Sequence, residues 1–119
     1  MKKNIVLIGA GSAQFGYGTM GDIFQSKVLE GSHITLLDIN PDTLAVVEKT
    51  GQDFIKEHDL NFTLSATTNR KEALVGADFI VSSIEVGPRF PLWEEDWRIP
   101  QQYGVTQVYG ENGGPGGLF

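Results

Sequence analysis

The sequence contains no cysteine and no long apolar run. Without cysteine, these 119 residues can form neither a disulfide framework nor a thiolate metal site. No stretch approaches the roughly 18 apolar residues that a membrane span needs. The apolar run at residues 5–8 is also too short for the hydrophobic core of a secretory signal. We therefore expect a cytoplasmic protein that does not bind membranes.

Basic residues are also few. Nine Lys and Arg stand against fifteen Asp and Glu, which gives a net charge of −6. The basic residues are scattered along the chain, whereas binding to a nucleic-acid backbone draws on clustered cations. We therefore expect no nucleic-acid partner. The proportions of 40% hydrophobic and 20% charged residues are those of an ordinary globular domain.

Apolar segments alternate with segments of helical periodicity over the first 84 residues. Each helical segment carries ordinary start or stop residues, such as Asn40 and Pro41 at the start of the second. The pattern predicts strands near residues 5–9, 33–38, 62–66 and 78–84, and helices near residues 12–29, 41–55 and 69–76. This alternation predicts an α/β fold, the N-terminal portion of a Rossmann-type doubly wound parallel sheet with strand order 3-2-1-4. From residue 85 onward the pattern becomes irregular and rich in glycine.

Gly9 and Gly11 lie directly between the first strand and the first helix. Gly9 permits a tight strand-to-helix turn, and Gly11 allows a pyrophosphate to approach the backbone, while the helix N-terminus offers free N–H groups to phosphate. Ser12 adds a hydroxyl donor. Gln14 occupies the position of the usual third glycine, although Gly16 and Gly18 follow. A Gly-x-Gly pair alone is also compatible with an ordinary turn, so its position after a strand carries the prediction.

Asp38 ends the second predicted strand, 27 residues after Gly11. A carboxylate there can accept hydrogen bonds from both ribose hydroxyls of an adenosine, and it repels a 2′-phosphate, which favours NAD over NADP. The alternative is that Asp38 only caps the turn into Asn40.

Other polar and aromatic residues receive structural interpretations. His33 and His58 are too isolated to form a metal site, and Asp22 and Asp78 are better placed for structural hydrogen bonds than for catalysis. The segment at residues 93–97, which contains two tryptophans and three acids, has two interpretations. It is either a platform for a sugar or an amphipathic turn whose tryptophans pack inward.

The chain resembles the N-terminal domain of family 4 glycoside hydrolases, the NAD- and Mn²⁺-dependent α-glucosidase and α-galactosidase group. Four groups of residues carry the resemblance across the whole chain: 8–12 with Phe15 and 21–23; 76–79 with 84–87; 99–100 with 103–105; and 110–117, the most specific. Many members have Gln where Glu85 stands and Asp where Glu111 stands.

Together with the glycine turn and Asp38, the resemblance implies two sets of site residues. The expected cofactor-binding residues are Gly9, Gly11, Ser12, Ala13, Phe15, Asp38, Ile84, Val86 and Gly87. The expected substrate-binding residues are Arg89, Glu111 and Asn112. No catalytic residue and no metal ligand is expected within residues 1–119, because the metal-binding Cys and His and the Tyr base of the family should lie beyond Phe119.

The chemistry that the resemblance implies begins with oxidation of the sugar at C3 by hydride transfer to NAD. This acidifies the C2 proton and allows elimination of the C1 substituent; water then adds and the hydride returns, unlike the usual two-carboxylate mechanism. A divalent metal such as Mn²⁺ would polarise the C2 and C3 oxygens. The expected protein is thus an NAD-binding domain, truncated and inactive by itself, of a homo-oligomeric glycosidase that acts on a small sugar.

Two alternatives remain open from the sequence. One is the N-terminal domain of a lactate- or malate-type dehydrogenase, which shares the strand-helix pattern; the other is a non-catalytic nucleotide-binding module.

A further expectation concerns the fourth strand, which carries no charge after Asp78. If no strand lies along its outer side, the exposed edge should pair with a second copy or be covered by residues 89–97, and self-association is the expected result.

Overall fold

A computed structural model describes residues 2–84 and 87–106, which fall in two units, residues 1–84 and residues 85–119. The first unit alternates strands with helices: β1 (Asn4–Ile8), α1 (Ala13–Gln25), β2 (His33–Leu37), α2 (Pro41–Glu57), β3 (Thr63–Thr67), α3 (Arg70–Ala73) and β4 (Phe79–Ser82), with a 3-10 turn at Lys27–Leu29. The described part of the second unit contains α4 (Arg89–Gln102).

The four strands form one parallel sheet in the order β3-β2-β1-β4. The predicted fold class and strand order are therefore confirmed. The register places Ile5 of β1 beside Ile34 of β2 and Phe79 of β4. In a parallel sheet the carboxyl ends of all strands lie at the same end of the sheet. The loops that follow Ile8, Leu37 and Ser82 therefore lie close together there.

The central strands are buried on both faces, which explains why their sequences are continuously apolar. On one face the core contains residues of β1, β2, α1 and α2, with one residue from the turn after β1 and one directly before β3: Ile5, Leu7, Ala10, Met20, Ile23, Phe24, Ile34, Leu36, Leu44, Val47 and Phe62. On the other face Val6 and Leu37 pack with Ala73 of α3. The rings of Phe24 and Phe54 stack at 5.8 Å, which fixes α1 beside α2.

The first helix is shorter than the sequence predicted. Residues 12–29 were expected to form one helix, but α1 ends at Gln25 because Ser26 adopts an extended conformation. The Ser26 N–H donates to the carbonyl of Ile23 at 3.0 Å, a contact that tightens the final turn.

The segment after residue 85 was expected to be irregular, and this was wrong for α4. Its prolines obscured the helix in the sequence. Pro88 is the N-terminal cap and Pro91 lies in the first turn, where a backbone N–H has no helical partner to lose. Pro100 lies in the last turn of the helix.

Strand β4 is exposed. The side chains of Phe79, Ile80 and Val81 are 54%, 53% and 38% accessible. Within residues 2–84 and 87–106, β4 pairs with β1 only. The expectation that this strand has an unprotected edge therefore agrees with the described structure, and self-association through it stays a prediction.

Hydrogen bonds of the Asp78 side chain link the start of β4 to the start of β1. Its Oδ2 accepts the N–H of Asn4 at 2.8 Å, and its Oδ1 accepts the Lys3 ammonium at 3.1 Å. The Asn4 N–H, and after it the Lys3 side chain, hold the pKa of the Asp78 carboxyl below its usual value. The structural interpretation of Asp78 therefore agrees with its contacts.

Because the folded-state pKa of Asp78 is lowered, its contribution to stability is present above the unfolded value of about 3.9 and is lost as the pH falls through the folded value. We expect Asp78→Asn to destabilise the protein at neutral pH, with the difference from the wild type shrinking on acidification below about pH 4. Urea unfolding of both proteins across this range would measure it. A difference that does not change with pH would contradict the assignment.

Candidate cofactor site

The turn after β1 is built around the left-handed conformation of Gly9, whose φ is +87°. A Cβ atom at this position would lie 2.1 Å from the carbonyl oxygen of Ser83, which follows β4. On the other side, the N–H groups of Gly9 and Ala10 both donate to the carbonyl of Leu37, at 2.8 and 3.2 Å. Gly9 is therefore enclosed between the ends of β2 and β4, and only glycine fits there.

Gly11 fits closely as well, but against side chains. A Cβ atom on Gly11 would lie 2.6 Å from Oγ1 of Thr43 and 2.9 Å from Oδ2 of Asp38. The Gly11 N–H donates to the same Asp38 oxygen at 2.8 Å. The absent side chain thus allows a hydroxyl and a carboxylate, groups that hydrogen-bond to a sugar, to lie against the backbone of Gly11.

Both interpretations of Asp38 agree with its contacts. Its Oδ1 accepts the N–H of Asn40 at 3.0 Å, as a turn-capping residue would. Its Oδ2 faces the glycine turn through the bond to Gly11. Because each carboxylate oxygen has two lone-pair sites, both oxygens retain capacity for a further donor such as a ribose hydroxyl.

The N-terminus of α1 follows the turn and has features that suit an anion. Ser12 is the cap residue, its side chain makes no capping hydrogen bond, and the first turn carries no acidic residue. The terminal N–H groups of a helix have no partners within it and attract phosphate.

Gly16, which the sequence did not assign a role, explains how α1 approaches the turn so closely. It is buried, and a Cβ atom on it would lie 2.2 Å from the carbonyl oxygen of Ala10. Gly16 therefore allows α1 to pack closely against the turn, which is the role of the third glycine in the usual motif. Thr43, also missed, had no sequence signal because only the fold brings α2 to Gly11.

The remaining predicted cofactor residues have different surroundings. Ile84 is 67% exposed and its Cγ2 lies 3.4 Å from the Cβ position of Gly9, so it borders the turn. Phe15 is partly buried and packs against the hydrophobic core. Ala13 is the first residue of α1. Val86 lies outside the described residues.

Gly87 and Arg89 belong to the second unit, and Glu111 and Asn112 lie outside the described residues. Gly87 has φ +81°, directly before α4.

The Arg89 guanidinium lies 5.4 Å from the centre of the Trp93 ring, and the Phe90 ring meets Trp93 edge-on at 5.9 Å. Trp93 is therefore packed among side chains of its own helix, and Trp97 is 40% exposed. These contacts favour the packing interpretation for Trp93 and leave Trp97 open.

The histidines make local contacts. The His33 ring lies between the hydroxyls of Thr63 and Ser65, at 2.7 and 2.9 Å, and the His58 ring lies 4.2 Å from that of Phe54. Within the part of the chain that the structure describes, no three His, Asp or Glu side chains form a group that could hold a metal ion. No described helix is long and apolar enough to cross a membrane.

Comparison with known proteins shows the family of the chain. Residues 4–119 match the model of the family described as family 4 glycosyl hydrolase. The chain belongs to this family. It is 68% identical, over all of its length, to an alpha-glucosidase of Erwinia rhapontici, and 31% identical over 98% of its length to an alpha-galactosidase of Bacillus subtilis (strain 168). It covers 26% and 27% of these two relatives.

Solved structures show the same fold. A 6-phospho-alpha-glucosidase from gut microorganisms, solved with NAD and Mn²⁺, matches 99% of the chain with a TM-score of 0.74 and 24% identity. The 6-phospho-beta glucosidase of Thermotoga maritima, solved with manganese, NAD⁺ and glucose-6-phosphate, matches 97% with a TM-score of 0.69 and 22% identity. The chain covers 27% of each. Family 4 membership thus coincides with a Rossmann-like sheet of order 3-2-1-4.

Proposed function

We propose that this chain is the NAD-binding part of a family 4 glycosidase that breaks O-glycosidic bonds by transient oxidation of the sugar. The observation that carries the proposal is the close approach of the Asp38 carboxylate and the Thr43 hydroxyl to Gly11, beside the N-terminus of α1. The adenosine half of a dinucleotide needs these surroundings, because its ribose binds a carboxylate and its phosphates bind free N–H groups.

The residues present fit NAD at this turn. Gly9 would shape the turn, Gly11 and Ser12 would hold the pyrophosphate, Asp38 would hold the adenosine ribose, and Ile84 would border the cofactor. When bound, NAD would supply the acceptor for a hydride from C3 of the sugar. The task of this chain is to bind and orient the cofactor. Val86, Gly87, Arg89, Glu111 and Asn112 remain proposed contacts from the resemblance.

The described residues do not fit a metal ion. The chain contains no cysteine, and its described part has no cluster of carboxylates and histidines. We therefore assign no step to Mn²⁺ within this chain, and propose that the ligands lie elsewhere in the whole enzyme. The chain spans only about a quarter of the length of the relatives it matches.

The substrate we propose is an α-glucoside, because the relative with 68% identity is an alpha-glucosidase. The family match favours this function over a lactate- or malate-type dehydrogenase and over a non-catalytic module. A cytoplasmic location and a homo-oligomeric state are proposed with it, the latter motivated by the exposed strand β4.

The cofactor assignment predicts tighter binding of NAD than of NADP, because the Asp38 carboxylate would repel a 2′-phosphate. Asp38→Ala should weaken NAD binding by about 1–2 kcal/mol through lost hydrogen bonds. Calorimetric titration of both cofactors would measure this. Equal affinity of the wild-type protein for NAD and NADP, unchanged by the substitution, would contradict the assignment of Asp38 as the ribose ligand.

A second prediction separates binding from catalysis. We expect the 119-residue chain alone to release no nitrophenol from a nitrophenyl α-glycoside, whatever metal or cofactor is added, because it contains no cysteine and its described part has no group of side chains that could hold a metal. An absorbance assay on rigorously purified protein would test this, with the Erwinia alpha-glucosidase as the positive control. Turnover above background would show that these residues suffice for catalysis.

A further inference from the structure

The Asp38 side chain connects two loops that are distant in sequence. Asp38 follows β2, and its Oδ2 accepts the N–H of Gly11, 27 residues earlier, in a partly buried hydrogen bond of 2.8 Å. Its Oδ1 accepts the N–H of Asn40 at the start of α2. One carboxylate therefore holds the glycine turn against the loop that precedes α2.

We propose that Asp38 is a positioning residue for the glycine turn in addition to being a ribose ligand. The backbone conformation of the turn and the recognition of the ribose then depend on the same carboxylate. The ribose role rests on the proposed function. The positioning role requires no nucleotide, since the bond to Gly11 is present in the protein alone.

The other hydrogen bonds of the turn show why this contact matters. The N–H groups of Gly9 and Ala10 are held by the carbonyl of Leu37, and the N–H of Ser12 donates to the carbonyl of Gly9 at 3.2 Å. Between them, the Gly11 N–H is held by Asp38. Glycine has the greatest backbone freedom of any residue, so a short bond to a charged acceptor restrains the turn where it is otherwise most flexible.

The positioning role has a consequence for cofactor preference. If Asp38 acted only on the ribose, removing its carboxylate would relieve the repulsion of a 2′-phosphate and improve NADP binding. If it also holds Gly11, the same change loosens the phosphate-binding turn, and both cofactors lose affinity. Asp38→Asn separates the effects, because its single amide oxygen can still accept the Gly11 N–H while the charge and the bond from the Asn40 N–H are lost.

The test is hydrogen–deuterium exchange of the peptide containing residues 9–12 in cofactor-free protein, with calorimetric titration of NAD and NADP. For Asp38→Ala we expect the turn to exchange about tenfold faster or more, and NAD to bind about 5- to 30-fold more weakly, as the loss of bonds to a charged acceptor predicts. NADP should bind no more tightly than in the wild type. Asp38→Asn should retain near wild-type exchange. The control is Asp42→Asn, an exposed carboxylate in the first turn of α2, which should change neither measurement.

Wild-type exchange in Asp38→Ala, with NADP affinity rising to that for NAD, would overturn the positioning role. Faster exchange in a protein that binds neither nucleotide would support positioning while defeating the proposed function. Should Asp38→Ala fail to fold, Asp38→Glu answers the same question, because it keeps the charge and displaces the acceptor by one methylene. Faster turn exchange in that variant would support the proposal, and wild-type exchange would overturn it.

Discussion

Replacing Gly9 with alanine is expected to lower the free energy of unfolding by about 2–4 kcal/mol. Two separate effects contribute. The φ of +87° is unfavourable for any residue with a Cβ atom, at a cost of roughly 1–2 kcal/mol. The new methyl group would also lie 2.1 Å from the carbonyl oxygen of Ser83, a backbone atom that can move away only if the end of β4 shifts. Denaturant unfolding monitored by circular dichroism would measure the loss.

Gly18→Ala is the matched control for this prediction. Gly18 lies in α1 and is exposed, and a Cβ atom added to it would meet no described atom within 4 Å. Alanine has the higher helix propensity, so this variant should be more stable than the wild type by about 0.5–1 kcal/mol. Two variants with the same chemical change should thus move in opposite directions. Equal stabilities would mean that the turn after β1 is not enclosed as described.

The parallel sheet could be predicted from the sequence because its signal is local. Apolar runs such as residues 5–8 mark strands that are covered on both faces, and the cap at Asn40 marks the start of a helix. The end of α1 at Gln25 was missed because Ser26 ends the helix without glycine or proline. Helix α4 was missed because three prolines argue against a helix, although Pro88 and Pro91 lie at its start, where proline is tolerated, and Pro100 lies only in its last turn.

The site was only partly predictable because its geometry depends on contacts between segments far apart in sequence. Gly9 and Gly11 could be recognised from their position after a strand. The enclosure of Gly9 by Ser83, the approach of Thr43 to Gly11 and the packing of Gly16 on Ala10 are tertiary contacts with no local pattern. For Asp38 the sequence posed capping and ribose binding as alternatives, whereas the structure leaves both available to one carboxylate.

The second large effect is expected for Gly11→Val, which should weaken NAD binding by about 100-fold or more while the fold is retained. The sequence alone suggests that the valine methyl groups would occupy space needed by the pyrophosphate. The structure adds that the new Cβ atom would displace the Asp38 carboxylate and the Thr43 hydroxyl, which lie 2.9 and 2.6 Å from its position. The substitution should therefore disturb both the phosphate and the ribose contacts.

The fold should tolerate this change because the atoms that Gly11→Val crowds belong to side chains at the partly exposed edge of the sheet, which can rotate, and Gly11 is not in the left-handed region. Calorimetric titration with NAD and a thermal melt of each protein would measure the two effects separately. Gly18→Val introduces the same side chain into open space on α1 and should leave NAD affinity unchanged, with a small gain in helix stability because valine has a higher helix propensity than glycine. Normal NAD binding by folded Gly11→Val would mean that the phosphates do not lie on this turn, and the cofactor site would then have to be sought elsewhere.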